Sequence, residues 1–431
     1  MKKIIYAVVV MLMGAGLTAP ASADAVRIRP DSVKEWNELA LDAVRLRRAT
    51  DADAARLYAM LSVAVYDAVN GILSRDAHPA RTPALVPGPG PRDGDVRAAA
   101  VSAAHTVLAT LDPDRLTLYD ATLAADLAGI RPGHRRDAGV AWGRSVGRLV
   151  VAARADDGAT PVETQPGGTG PGIFPAAWSG VQYRNVRPFG VVDDTRYVLG
   201  PPPALASLDY AAAFAEVALL GNAAIPAPDQ LATFQFWSLP AGSDQPPGEW
   251  VKVALITADS RGLSLDSATR LLALLTMALA DTTVATVGTK FAHRHWRPAQ
   301  AIPQADLDGN PYTVADPGWA PRAGSPGSSP EWVSGHSSYS GSAAAVLSGF
   351  FCTDAVPFSL VTDSAPNAEA RSYPGFSAAA AEAGRSRVFG GQHFEFSDQA
   401  GLALGRSVAG EVLATRLLLR TGDTHVGSCP R

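Results

Sequence analysis

Apolar residues recur at helical spacing along most of this chain, whereas no stretch of useful length alternates in the way that predicts a strand. Residues 32–49 are amphipathic, and residues 54–73 are strongly helical and buried in character. No internal repeat is evident. Helices are predicted at residues 32–49, 54–73, 95–111, 114–127, 135–155, 208–220, 228–237, 249–260, 264–295, 337–351, 377–389 and 398–420.

Two stretches rich in proline and glycine interrupt these helices. The first, residues 157–206, is predicted to be a long irregular excursion, and the second, residues 298–330, is predicted to be a loop. Alanine is abundant and β-branched runs are short, which favours helix. The pattern therefore predicts a mainly α fold with a bundle-like arrangement, formed as one large domain over residues 24–431.

The N-terminus has the pattern of an export signal. Lys2 and Lys3 precede an apolar run at residues 4–17, and Ala-Ser-Ala at residues 21–23 fits the rule for cleavage after small residues. Residues 1–23 are therefore predicted to be a signal peptide, with a secreted or periplasmic mature chain. An uncleaved membrane anchor is the alternative. The most apolar later stretch, residues 271–280, is too short for a membrane span.

Composition narrows the classes of function. The net charge of −4 gives no electrostatic support to a nucleic-acid partner. The chain has five lysines against 32 arginines, so Lys290 is stronger evidence for a functional site than any single arginine. The only two cysteines, Cys352 and Cys429, could form a bridge in an oxidising compartment or remain two unpaired thiols.

Candidate chemistry lies in three short segments of the C-terminal part. They are residues 290–298 (KFAHRHWRP), residues 334–336 (SGH) and residues 386–393 (SRVFGGQH). Among their residues, Lys290, Arg297, Ser334, His336, Arg387 and His393 form a set that suits a tetrahedral oxyanion such as phosphate or vanadate.

In the first segment, Lys290 and Arg297 are seven residues apart, so both are expected on one face of a helix that ends near Pro298. A solvated basic helix terminus is the alternative. His293 and His295 form an H-x-H pair, but no third zinc ligand is near in sequence. They are expected to shape the approach of halide or substrate, or to line the helix surface.

In the second segment, Ser334 and Gly335 are predicted to begin a helix whose free N–H groups face an anion, and His336 could transfer a proton there. An ordinary helix cap is the alternative. In the third, the Arg387 guanidinium can hold two oxygens of an oxyanion. His393 could be a nucleophile or a metal ligand, or alternatively a buried histidine paired with Asp398 or Glu395.

Jointly the segments resemble the superfamily of type 2 phosphatidic acid phosphatases and vanadium haloperoxidases, whose pattern is K-x6-R-P, then P-S-G-H, then S-R-x5-H-x3-D. The first element matches in full. In the second, Val333 replaces the leading proline. In the third, Ser397 stands where the aspartate is expected and Asp398 follows one residue later.

Within the superfamily the chain looks most like the soluble bacterial vanadium-dependent haloperoxidases, to judge from residues 296–298 (WRP), 66–70 (YDAVN) and 401–406 (GLALGR). The resemblance implies their helical fold and vanadate as cofactor, with hydrogen peroxide and a halide or small organic molecule as substrates. It implies that His393 binds vanadium axially, that His336 assists proton transfer and that Lys290 polarises the peroxide. The implied holders of the vanadate oxygens are Lys290, Arg297, Ser334, Gly335 and Arg387.

Two other functions stay open on the sequence. In an acid phosphatase, His393 would attack phosphorus and His336 would protonate the leaving group. A non-catalytic oxyanion-binding protein on the same fold is the third reading. The shifted aspartate is expected to weaken a nucleophilic histidine more than a metal ligand, which favours the peroxidase or a low activity of either kind. Phosphate could occupy the same site as vanadate, and the halide, the organic substrate and the oligomeric state are not fixed.

Overall fold

A computed structural model of the chain describes residues 31–74 and 81–420. The predicted signal peptide and Cys429 lie outside the described residues. The helices of the described part are α1 Asp31–Arg47, α2 Asp51–Leu73, α3 Val96–Leu111, α4 Leu116–Ala128, α5 His134–Ala153, α6 Leu208–Leu220, α7 Pro228–Phe236, α8 Gln245–Ser260, α9 Leu265–His293, α10 Pro298–Ala301, α11 Gly335–Phe351, α12 Phe376–Phe389 and α13 Glu395–Thr415.

The prediction of a mainly α fold is confirmed. Two small antiparallel sheets were not predicted, because their strands of two or three residues are too short to show alternation. β1 (Thr164–Gln165) pairs with β2 (Trp178–Ser179) inside the 157–206 excursion. β3 (Phe358–Leu360) pairs with β4 (Arg371–Tyr373), with Ser359 opposite Ser372.

Helix boundaries follow local capping chemistry. Ser264 caps α9 and Ser334 caps α11, each by accepting a hydrogen bond from a backbone N–H in the first turn. α8 begins at Gln245, earlier than predicted, because its two prolines sit in the first turn, where proline removes no helical hydrogen bond. α13 ends at Thr415 rather than at residue 420, because Arg416 is extended.

The long helix α9 is the centre of the core. It is apolar on all sides and packs against α2, α8, α11 and α13. By length and composition it is the one helix of the described residues that could cross a membrane, and 89% of its most apolar window is buried inside the protein. Core helices of soluble proteins pass the same test. Its last turn carries Lys290 toward the candidate site.

Helices α11 and α13 pack with their backbones in close approach. A Cβ atom at Gly405 would lie 2.0 Å from the carbonyl oxygen of Ser338, and one at Gly401 would lie 2.7 Å from that of Ser334. Only glycine fits at such distances from a neighbouring backbone. This contact places the beginning of α11 beside the first turns of α13, directly after His393.

A buried carboxylate fixes the 157–206 excursion to α9. Asp281 accepts hydrogen bonds from the backbone N–H groups of Phe189, Gly190 and Val191, at 2.6 to 2.8 Å. Burial raises the pKa of Asp281 to about 6, although the three N–H groups act in the opposite direction. The excursion, irregular as predicted, is thus held over the C-terminal half of α9.

Cys352 follows α11 and is disulfide-bonded. This finding favours the bridge over two unpaired thiols. Cys429 itself lies outside the described residues.

Candidate active site

The first segment does not continue as one helix. α9 ends at His293, and Arg294 adopts a left-handed conformation with φ of 51° while its N–H donates to the carbonyl of Lys290. Arg297 is extended and precedes α10. The prediction that Lys290 and Arg297 share one helix face is therefore wrong. Their side chains converge because the chain turns after α9.

Lys290 and Arg297 are both buried, and their side chains contact the chain near the other two segments. The Nζ atom of Lys290 donates to the carbonyl of Pro330, just before α11. Arg297 donates through Nε to the carbonyl of Ser329 at 2.7 Å, and through Nη1 to Nε2 of His393 at 3.1 Å. Burial, then the neighbouring Arg297, holds the pKa of Lys290 well below its usual value, and burial lowers that of Arg297 to about 10.

The second segment begins α11 as predicted. The Ser334 hydroxyl accepts hydrogen bonds from the backbone N–H of Ser337 at 3.4 Å and from the Ser337 hydroxyl at 2.8 Å. The residue predicted to hold an oxyanion is therefore also the cap of the helix. A Cβ added at Gly335 would make ordinary contact with the Asp51 carboxylate at 3.8 Å, so an acidic side chain borders the glycine on that side. Gly335 is partly exposed, which leaves the first turn of the helix accessible to a small ligand.

His336 is partly exposed beside this helix start. Its Nε2 lies 3.3 Å from the carbonyl oxygen of Ser238, so Nε2 is the nitrogen that donates. Burial, then the charges of Arg387 and His393, hold the pKa of His336 well below its usual value. His336 is thus a neutral imidazole whose Nδ1 is free to accept a proton.

Arg387 lies in the last turn of α12 and is the least satisfied cation of the site. Its Nη2 donates to the side-chain oxygen of Gln392, and its Cζ lies 5.2 Å from the centre of the Phe234 ring. Its Nε and Nη1 are buried and have no hydrogen-bond partner among the described residues. Burial, then Arg297, lowers the pKa of Arg387 to about 9. Buried N–H groups of this kind mark the position of an absent acceptor.

The carboxylate that holds His393 is Glu331. Nδ1 of His393 donates to Oε1 of Glu331 at 2.9 Å, and Oε1 also accepts from the backbone N–H of Phe394 at 3.1 Å. The expectation that Asp398 or Glu395 pairs with His393 is wrong. Asp398 lies against Gly384, where a Cβ added to the glycine would be 2.0 Å from Oδ1 of the aspartate. Glu395 pairs with Arg385.

Glu331 was not predicted as a partner of His393, because the two residues lie 62 positions apart in the sequence. One signal was present: it is an acidic residue three positions before Ser334, within a stretch that leads into a buried helix start. The structure buries it completely. Burial opposes its ionisation, but hydrogen bonds from His295 and His393 outweigh burial and hold the pKa of Glu331 below its usual range.

The two histidines of the H-x-H pair diverge. Nε2 of His293 donates to the carbonyl of Leu199 at 2.8 Å, whereas the His295 ring is buried with Nδ1 3.3 Å from Oε2 of Glu331. The expectation that the pair lines the surface of a helix is therefore wrong for His295. Neither histidine belongs to a group that could hold a metal ion in the described part of the chain.

One acidic group away from this site has the spacing of a metal site. Asp244, Glu249 and Asp363 lie close together, but Arg45 and Lys252 already contact them at 2.6 to 3.5 Å. The cluster is an internal ion-pair network between α1, α8 and the segment before β4.

The balance of charge around His393 identifies the missing partner. Three buried cations, Lys290, Arg297 and Arg387, outnumber the carboxylates that act on them, which are Glu331 and, at Lys290, Asp51. Burial is the largest cause of the lowered pKa of each cation, and the charge of Arg297 lowers the pKa of Lys290 and Arg387 further, so an added negative charge would stabilise the site. A tetrahedral oxyanion would supply that charge and accept from the unpartnered N–H groups of Arg387. The residues therefore fit vanadate or phosphate, although the role of each residue stays a prediction.

Comparison with known proteins gives one family and a fold. Residues 270–420 match the family model described as the VCPO second helical-bundle domain, which covers all three motif segments. No curated protein matches the chain.

Two solved structures illustrate the similarity. A bacterial vanadium-dependent iodoperoxidase is similar with a TM-score of 0.77 at 22% identity, over 91% of this chain and 98% of that one. A bacterial vanadium-dependent chloroperoxidase in its holo form is similar with a TM-score of 0.63 at 15% identity, over 85% of this chain and 92% of that one. The chain has the fold of the bacterial vanadium-dependent haloperoxidases, and its residues 270–420 are similar to the VCPO second helical-bundle domain.

Proposed function

We propose that this protein is a vanadium-dependent haloperoxidase, which binds vanadate and uses hydrogen peroxide to oxidise a halide. One observation carries the proposal: Arg297 contacts Nε2 of His393, the charge of Lys290 acts on the same histidine, and Nε and Nη1 of the buried Arg387 have no hydrogen-bond partner among the described residues. Proteins with this fold are named as iodoperoxidase and chloroperoxidase, which supports the same reaction class.

The binding roles follow from the donors in place. His393 would present Nε2 as the vanadium ligand, because its Nδ1 donates to Glu331, and Arg297, which donates to Nε2 in the ligand-free protein, would donate to a vanadate oxygen instead. The oxygens of vanadate would be held by charge-assisted and backbone hydrogen bonds from five residues, namely Lys290, Arg297, Ser334, Gly335 and Arg387. Bound vanadate supplies the Lewis acidity that activates hydrogen peroxide toward the halide.

The protein contributes proton handling and charge. His336 holds its own proton on Nε2 against the carbonyl of Ser238, so its Nδ1 would be the atom that accepts a proton from hydrogen peroxide. The ammonium group of Lys290, fixed at the carbonyl of Pro330, stabilises negative charge that develops at the reacting oxygen. Both groups are in place before the substrate arrives.

Phosphate-ester hydrolysis is the second candidate, and Glu331 favours it. The displaced aspartate argued against a nucleophilic His393, but Glu331 holds Nδ1 in its place. Nε2 of His393 would then attack phosphorus as the bond to the ester oxygen breaks. The leaving alcohol would take its proton from His336, once the negative charge of the bound ester has raised the pKa of that histidine and it has gained a proton from solvent. The displaced aspartate therefore no longer separates the two reactions.

One experiment compares the candidates. Purified protein freed of oxyanions is assayed with and without vanadate for peroxide-dependent oxidation of iodide, bromide and chloride, and for hydrolysis of a phosphate ester. Halide oxidation that requires vanadate supports the proposal. Hydrolysis that vanadate inhibits supports the phosphatase, and vanadate binding without either activity indicates a silent binder. His393→Ala should abolish either activity, whereas His134→Ala, on an exposed histidine, should not.

We also propose that the chain is exported. The N-terminal pattern and the disulfide-bonded state of Cys352 support an oxidising compartment. N-terminal sequencing of protein recovered from the periplasm or medium should begin at Asp24; an intact Met1 on membrane-bound protein would indicate an anchor instead.

A further inference from the structure

We propose that His295 is a positioning residue for the oxyanion site: it fixes Glu331 so that His393 keeps its proton on Nδ1 and presents the lone pair of Nε2 to the ligand. The proposal rests on the oxyanion site described above, and it concerns a histidine that the predicted motif leaves without a role.

The tautomer of His393 is set by its two neighbours. Nη1 of Arg297 lies 3.1 Å from Nε2, and a guanidinium can only donate, so Nε2 must accept. The ring proton therefore sits on Nδ1, where Oε1 of Glu331 accepts it at 2.9 Å. If Glu331 turned away, Nδ1 would lose its acceptor and the other tautomer would become competitive.

The two oxygens of Glu331 are held by different residues. Oε1 accepts from His393 and from the backbone N–H of Phe394, whereas Oε2 accepts from Nδ1 of His295 at 3.3 Å. A carboxylate that is fully buried needs a donor at each oxygen, since an unpaired one carries a desolvation cost. His295 therefore opposes rotation of the carboxylate away from His393.

His295 is itself rigidly placed. Its carbonyl accepts from the backbone N–H of Glu331 at 2.8 Å, so the two residues bind each other through main chain and side chain. Its ring makes edge contacts at about 6 Å with Tyr210, Phe394 and Phe396. Nε2 has no hydrogen-bond partner among the described residues, so the one polar contact of the ring is directed at Glu331.

A competing account is that His295 only fills the aromatic cluster. Two substitutions separate the accounts. His295→Asn places an amide donor where Nδ1 stands but removes most of the ring, whereas His295→Phe keeps a ring of similar size and removes the donor. Positioning through Glu331 predicts that His295→Phe is the damaging change, and packing alone predicts that His295→Asn is.

The experiment uses the full chain and two readouts. Titration calorimetry with vanadate, repeated with inorganic phosphate, should show oxyanion affinity about 10- to 100-fold weaker for His295→Phe, with most of it recovered in His295→Asn. NMR of ¹⁵N-labelled histidine in the ligand-free protein should show His393 with its proton on Nδ1 in wild type and His295→Asn, and a tautomer mixture in His295→Phe. His105→Phe is the matched control and should change neither readout, because His105 contacts Asp120 and lies far from the three motif segments in the sequence.

The outcomes are decisive in both directions. Equal affinity and one His393 tautomer in all three proteins would overturn the proposal, as would greater loss in His295→Asn than in His295→Phe. If wild type binds neither vanadate nor phosphate, the proposed function fails, yet the tautomer readout still decides the role of His295. A thermal unfolding curve for each variant confirms that the protein measured is folded.

Discussion

Nη1 of Arg297 lies 3.1 Å from Nε2 of His393, so a cation of the first segment is in direct contact with the predicted metal ligand of the third. The same guanidinium donates to the carbonyls of Ser329 and Gln392. Arg297 therefore joins the chain before α11 to the chain before α13. A planar fork can make these contacts at once, whereas an ammonium group is a single point of charge.

Arg297→Lys is expected to weaken vanadate or phosphate binding by about 10- to 100-fold, because one Nζ cannot reach His393 and both carbonyls together. Titration calorimetry measures the effect. Arg294→Lys is the matched control, since Arg294 lies in the same segment but donates to the carbonyl of Pro166. Equal affinities for the two variants would contradict the role given to Arg297.

Arg387→Met is expected to separate stability from binding. The change removes two buried nitrogen atoms, Nε and Nη1, that have no hydrogen-bond partner among the described residues, so the ligand-free variant should match wild type in free energy of unfolding or exceed it by about 1 kcal/mol. Wild type should gain about 2.7 kcal/mol at an oxyanion concentration of 100 times Kd, and the variant should gain little. Thermal unfolding with and without phosphate measures both quantities.

Arg385→Met supplies the comparison for that experiment. Arg385 lies on the same helix but pairs with Glu216 and Glu395, so its loss should lower stability slightly and leave stabilisation by phosphate intact. A ligand-free Arg387→Met that is clearly less stable than Arg385→Met would show that Arg387 is a structural cation.

Asp398 is expected to make stability depend on pH. Burial raises its pKa to about 7, whereas an aspartate in the unfolded chain ionises near 3.8. The folded state therefore holds a proton that the unfolded state has lost, and the associated stability falls as pH rises from about 4 through 7. Asp398→Asn should raise the free energy of unfolding by roughly 1–3 kcal/mol at pH 8 and by less at pH 5.

Urea unfolding at the two pH values tests this. Asp209→Asn is the control, because Asp209 is an exposed aspartate in the first turn of α6 just as Asp398 lies in the first turn of α13. Its effect should be the same at both pH values. A gain for Asp398→Asn that does not grow with pH would mean that the carboxylate is charged in the folded protein throughout.

Gly405→Ala is expected to destabilise the protein by about 1–3 kcal/mol, since its Cβ would lie 2.0 Å from the carbonyl oxygen of Ser338 and backbone atoms cannot move aside cheaply. Gly410→Ala, on the same helix with nothing within 4 Å, should be neutral or slightly stabilising. Urea unfolding of the pair isolates the steric contribution. Similar destabilisation of both would point to helix propensity rather than to the contact between α11 and α13.

The sequence was sufficient for what depends on local chemistry. Apolar residues at helical spacing predicted most helices, and the three-part motif indicated Lys290 and Ser334 as candidates for one site. It failed where a distant residue decides the outcome. Arg294 ended α9 through a left-handed conformation that no periodicity reveals, and Glu331 reached His393 from another segment. Asp398 was the carboxylate nearest to the position that the motif predicts, but it points toward Gly384.

Glu331 also bears on the order in which the molecule is assembled. Its contacts span 36 residues to His295 and 62 to His393, so the histidine cannot be oriented until three separate segments have docked. The site should then form late in folding and open as one cooperative unit. Hydrogen exchange at the backbone amides of Glu331 and Phe394, each bound to a partner in another segment, should accordingly proceed in concert.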